Sequence, residues 1–134
     1  MMKSRTITKM FRVLSVLLAF LLMYLSLARH PEGESLVKFF PLQDKGAHAF
    51  AYAAFGFSLF FAFNGKSRQF SWRPFLQTLL LGAVFGYTME IIQGFVGRDY
   101  DLLDLLADCI GIVSGILISL AILYLYRHFF CPEN

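Results

Sequence analysis

The sequence predicts an all-α protein that crosses a lipid bilayer four times, with both termini on the cytoplasmic side. Three observations carry that expectation. The 134 residues are 57% hydrophobic and 17% aromatic with only 16% charged, more apolar surface than a water-soluble core of this size can hide. Four apolar runs have the length a helix needs to cross about 30 Å of hydrocarbon at about 1.5 Å per residue. The Lys and Arg residues, finally, gather on one side of those runs. The length is that of one domain, so the expectation is a single membrane domain over residues 1–134.

The first span covers about 10–28, "MFRVLSVLLAFLLMYLSLA". Its basic start and the "SLA" before Arg29 resemble a secretory signal with a cleavage site, but the run is long for a signal, so an uncleaved anchor is expected. The second span, 44–64, opens with "DKGAHAFAYAAFGFSLFFAF". The third, 74–96, starts at Pro74, whose missing N–H is harmless in a first helical turn. The fourth covers 104–126. Between them, "RHPEGESLVKFFPLQ" (29–43) holds two prolines and a glycine, and "GKSRQFSWR" (65–73) is small, basic and polar, both being helix-ending chemistry. The last connection, "GRDYD" (97–101), is so brief that helices three and four must form an antiparallel hairpin.

Charge sets the orientation. With the N-terminus inside, eight of the twelve Lys and Arg residues fall on the cytoplasmic side: Lys3, Arg5, Lys9, Arg12, Lys66, Arg68, Arg73 and Arg127. Eight of the nine acids fall outside and only Glu133 inside. The net charge of +3 is therefore a topology signal, and no basic–aromatic platform for nucleic acid is visible. Cys109 and Cys131 sit about 33 Å apart along one helix, too far for a disulfide within the chain.

Against this apolar background the stretch "EIIQGFVGRDYDLLDLLAD" (90–108) holds five carboxylates and an arginine. Helical spacing sorts them. Asp44, His48, Tyr52 and Gly56 form one i+4 stripe on the second helix, with Lys45 three residues before His48. Gly82, Gly86, Glu90 and Gln93 form a stripe on the third, and Asp101, Asp104, Asp108, Gly111 and Gly115 one on the fourth. Each stripe is polar in its outer third and carries glycine towards the middle. Ionisable groups in hydrocarbon are costly and survive by facing one another or a water-filled cavity, while glycines four apart let backbones approach closely. The expectation is an outward-facing polar pocket above a tight three-helix contact.

The plainer explanations differ from residue to residue. Asp99 and Asp101 fit a solvated loop or a helix cap, and Asp104 also suits a helix N-terminus through the dipole. His48 gains weight as an acid–base candidate from Asp44 and Tyr52 one turn away. Glu90, well inside its helix, needs a partner, for which Arg98, Lys45 and His48 are available. The glycine pairs read as helix packing, and the aromatics between Phe55 and Phe63 as packing or lipid-facing residues.

Taken together, "DKGAHAFAYAAFG" (44–56), "EIIQGF" (90–95) and "GRDYDLLDLLADCIG" (97–111) resemble the VanZ-like membrane proteins. That family pairs Asp-Lys-x-x-His-x-x-x-Tyr with Glu-x-x-Gln and then Arg-x-x-Asp-x-x-Asp-x-x-x-Asn-x-x-Gly. The likeness extends from Asp44 to Gly111, about half the chain, and departs at Asp108, where the family often has Asn. It implies a small multi-pass protein of the bacterial inner membrane. The family's namesake is associated with resistance to the glycopeptide antibiotic teicoplanin, a role not inferred for this chain.

Two classes of function follow. In one, an enzyme acts at the outer leaflet on a lipid-linked or glycopeptide-type envelope ligand. His48, Glu90 and Asp104 are its catalytic candidates, while Asp44, Lys45, Tyr52, Gln93, Arg98, Asp101 and Asp108 bind substrate. In the other, the charged cluster of a non-catalytic accessory protein serves as receptor and structural glue. A carrier is disfavoured because the cytoplasmic halves of the spans hold no ionisable group to complete a pathway. No metal or other cofactor is expected: a hard cation among Asp101, Asp104, Asp108 and Glu90 would suit its oxygen ligands, but the spacing is not that of a calcium loop, and zinc lacks its ligands. The expected partners are membrane lipids and a lipid-linked envelope precursor, with no nucleic acid.

Overall fold

A computed structural model describes residues 4–27, 43–65, 71–95 and 102–130. Four helices account for nearly all of them: α1 Ser4–Leu27, α2 Gln43–Asn64, α3 Trp72–Phe95 and α4 Leu102–Phe130. All four are long and apolar enough to cross a membrane, and no strand occurs among the described residues. The helices thus follow the four expected spans, with ends that differ for local reasons. α1 starts six residues early because Arg5, Lys9 and Arg12 are good helix formers although not apolar. Ser71 caps α3, its hydroxyl accepting the Arg73 N–H at 3.4 Å, which places Pro74 in the first turn. At the far end of α2, Gly65 takes a φ of 59° and its N–H reaches back to the Phe61 carbonyl at 3.3 Å, the left-handed close that glycine allows. α4 runs on to Arg127 and His128 in its last turn, where cations suit the dipole.

The pairings reveal the topology. Phe11 stacks on Phe61, with ring centroids 5.0 Å apart, and Ser15 meets Ser58 at 3.0 Å, so α1 and α2 are antiparallel. Gly82 lies against Ile112 and Gly86 against Asp108, which makes α3 and α4 antiparallel as their short link requires. Gly111 faces Ala49 and Gly115 faces Ala53 and Phe57, so α2 and α4 run in the same direction. The starts of α2 and α4 therefore share one end of the bundle with the ends of α1 and α3.

α2 is the centre of the packing, in contact with the other three helices. Tyr52, Phe55, Leu59 and Phe60 of α2 join Leu22 of α1 and Ile112 and Ile116 of α4 in the core. Of the aromatics between Phe55 and Phe63, Phe55 and Phe60 are buried and Phe57 and Phe61 pack around Phe11. The outer surface is apolar: Phe20, Leu80 and Ile110 are each at least 60% exposed, an arrangement suited to lipid rather than water.

The α2–α4 contact is the tightest in the molecule. A side chain at Gly115 would collide with the Ala53 carbonyl oxygen and one at Gly111 with that of Ala49, while Gly56 leaves only 2.8 Å between a notional Cβ and the Ile112 carbonyl oxygen. Small residues on both helices bring backbone against backbone, which favours association where lipid provides no hydrophobic drive. Gly82 works differently, receiving the Ile112 side chain rather than main chain.

Candidate functional site

One turn above this contact, the polar residues of α2, α3 and α4 converge. His48 Nδ1 lies 3.2 Å from Asp108 Oδ1, joining residues sixty positions apart, and their side chains are 16% and 4% exposed. The close helix approach just below, at Ala49 and Gly111, makes the pair possible. Tyr52, one turn below His48, is fully buried. Its ring edge and the Asp108 carboxylate flank Gly86, and a Cβ there would stand 3.3 Å from Asp108 Oδ2 and 3.6 Å from Tyr52 Cε1. Its hydroxyl is buried and makes no hydrogen bond among the described residues.

Two more carboxylates complete the group. Glu90 is 1% exposed and follows Gly86 by one turn, on the face of α3 that meets Tyr52 and Asp108. Asp104, buried in the first turn of α4, stands one turn before Asp108 on the same face. Its position suits both the helix dipole and the cluster. Gln93, one turn beyond Glu90, is buried and donates from Nε2 to the Ser26 carbonyl of α1 at 3.1 Å. It therefore tethers α1 to the polar end.

Among the candidates, His48, Tyr52 and Asp108 are brought together, Glu90 and Asp104 are buried one turn away on α3 and α4, and Gln93 sits beyond Glu90. Asp44 and Lys45 begin α2, but their side chains are outside what is described. Arg98 and Asp101, like Asp99 and Cys131, lie outside the described residues. Among those described, no three His, Cys, Asp or Glu side chains are grouped to hold a metal ion. Cys109, beside Asp108 in sequence, is a free thiol.

The contribution of α1 is the part that the sequence reading missed. Ser26 accepts from Gln93. Ser15 and Ser58 meet between α1 and α2 at 3.0 Å, where one hydroxyl donates to the other while the second donates to a carbonyl of its own helix, that of Phe11 for Ser15 or of Phe55 for Ser58. The available signal was serine inside an apolar span, since a hydroxyl there must find a partner.

The pairing of His48 with Asp108 has a chemical consequence. A carboxylate accepting from Nδ1 fixes the neutral ring with its proton on Nδ1, so that Nε2 is the basic nitrogen. A histidine held this way suits proton transfer. The same contact, one side chain on each of two parallel helices, also locks their register.

Comparison with known proteins adds one finding. The family model VanZ/LLP1 matches residues 4–124, most of the chain and all of the cluster. No curated protein and no solved structure matches it significantly.

Proposed function

The chain belongs to the VanZ/LLP1 family of membrane proteins, and from that premise we propose that it binds or transforms a lipid-linked or glycopeptide-type ligand of the cell envelope. The protein sits in the bacterial inner membrane with both termini in the cytoplasm, so that the His48–Asp108 end opens to the outer leaflet. The single observation that supports this reading is the His48–Asp108 pair itself. Ionisable residues within a span are costly to insert, and here Glu90 and Asp104 are buried close to the pair. So dense a cluster, near the end of three helices, suits recognition or proton transfer better than anchoring. In this reading His48 is the acid or base, Asp108 orients it, and Glu90 and Asp104 assist. Lys45 and Arg98 take the phosphate or carboxylate of the ligand, with Asp44, Tyr52, Gln93 and Asp101 around it.

A second reading, that of a non-catalytic accessory protein with a structural cluster, draws on the low exposure of Asp108 and Glu90. One experiment separates the two. The purified protein and its His48→Ala and Glu90→Gln variants are compared for co-purifying lipids by mass spectrometry, with thermal unfolding in parallel. The proposal expects the wild type to retain a polyprenyl-linked or peptidoglycan precursor, and both variants to fold yet lose it. Variants that unfold but keep the ligand whenever they fold support the structural reading. A well-folded wild type that carries no envelope ligand contradicts the proposal.

A further inference from the structure

α1 carries a second pattern, on the side turned away from the core. Arg5, Lys9, Arg12, Val16, Phe20, Met23 and Leu27 follow one another at steps of three and four, a single line along the helix. It is distinct from the line that packs inward through Ser15, Leu22 and Ser26. The three cations are exposed, as are Val16 (55%) and Phe20 (60%). Beyond them the surface hollows into a groove of about 420 Å³ lined by Phe20, Met23, Tyr24 and Leu27. α1 bears no acid to neutralise its cations.

We propose that this stripe binds an anionic glycerophospholipid of the leaflet at the α1 N-terminus. Its phosphate is held by Arg5, Lys9 and Arg12, and an acyl chain lies along Val16 into the Phe20–Met23 groove. The dimensions agree. From Arg12, Phe20 is about 12 Å along the helix, within a leaflet of roughly 15 Å, half the hydrocarbon thickness, and Met23 at about 16 Å marks its inner limit, so the chain end reaches the near edge of the groove and Tyr24 and Leu27 fall beyond it. The chemistry agrees too, since the arginine fork matches phosphate oxygens in a bidentate manner. An arginine on a lipid-facing surface needs such a counter-charge or must snorkel to water. The cations that hold the headgroup lie at the opposite end of the bundle from His48, and the site does not depend on what the polar cluster does.

The test uses the full-length protein in detergent, with native mass spectrometry of lipid retained from mixtures of phosphatidylglycerol and phosphatidylcholine. Phosphatidylglycerol is expected to be preferred by roughly tenfold, with the preference falling as salt rises. The Arg5→Gln/Lys9→Gln/Arg12→Gln variant is expected to lose it. The matched pair is Arg5→Gln/Arg12→Gln, expected to lose most of the preference, against an Arg73→Gln/Arg127→Gln control, which removes the same two arginine charges at the same end from α3 and α4 and is expected to keep it. Equal loss in the control, or no preference in the wild type, overturns the proposal. Should the triple variant misfold or insert in reverse, Arg12→Gln alone decides: an unchanged, salt-insensitive preference overturns the site.

Discussion

Gly115→Ala is expected to destabilise the protein by roughly 1–3 kcal/mol or more, the scale of overpacking in a close-fitted core. The reason is that the new methyl would meet main chain, the Ala53 carbonyl oxygen and the Phe57 nitrogen, and main chain in a helix cannot step aside. Gly111→Ala is expected to behave alike because it would meet the Ala49 carbonyl oxygen. Gly82→Ala should cost less, since the obstacle is the movable end of the Ile112 side chain. Gly46 and Gly94 have open space around them, so alanine there is expected to be neutral or to stabilise by up to about 1 kcal/mol through helix propensity. Unfolding of the five variants in mixed detergent–denaturant micelles checks the order. If Gly115→Ala unfolds like Gly46→Ala, α2 and α4 are not pressed together in this register.

The second large effect is expected at the polar pair. Removing His48 leaves a buried carboxylate with one partner fewer, which for a buried ion pair costs about 3–5 kcal/mol; protonation of the acid limits that loss. Asp108→Ala leaves an imidazole N–H without its acceptor, at about 1–3 kcal/mol. Asp108→Asn keeps an oxygen in place and is expected to cost least. Because the two residues touch, the double variant His48→Ala/Asp108→Ala should cost less than the sum of the single ones, with a coupling of about 0.5–3 kcal/mol. Strict additivity in a double-mutant cycle, measured by the same unfolding assay, would mean that the contact contributes nothing.

Much of the architecture was legible in the sequence because in lipid every span must satisfy its own backbone hydrogen bonds, leaving long apolar helices as the solution for such runs. The glycine spacing was legible for a related reason. Gly111 and Gly115 sit on backbone as their four-residue step implied, although Gly82 receives a side chain instead. The partner of His48 was not legible. Helical spacing offered Asp44 and Tyr52 on its own stripe, whereas the side chain it meets, Asp108, comes from α4. A helical period says which residues share a face; it does not say which neighbouring helix that face meets. The parallel pairing of α2 with α4 skips a whole hairpin, and no connection length predicts it. α1 was read as an anchor for a similar reason, as its contribution rests on the Ser26 carbonyl, a main-chain atom that any sequence offers, and on Ser15, a residue too common to stand out.

The departure at Asp108 takes on meaning from this geometry. An amide at that position would offer His48 an uncharged acceptor, whereas the carboxylate found here makes the contact an ion pair whenever the ring is protonated. The close fit of Gly86 against Asp108 and Tyr52 leaves the carboxylate little freedom to turn elsewhere.

The convergence of α2, α3 and α4 on this pair is tested most directly by solid-state NMR of the protein in bilayers, with ¹⁵N-labelled histidine and ¹³C-labelled aspartate and with His30 and His128 replaced. A dipolar cross-peak between His48 Nδ1 and the Asp108 carboxyl carbon is the predicted result, removed by Asp108→Ala. A well-folded sample in which His48 shows no contact with Asp108 would contradict it.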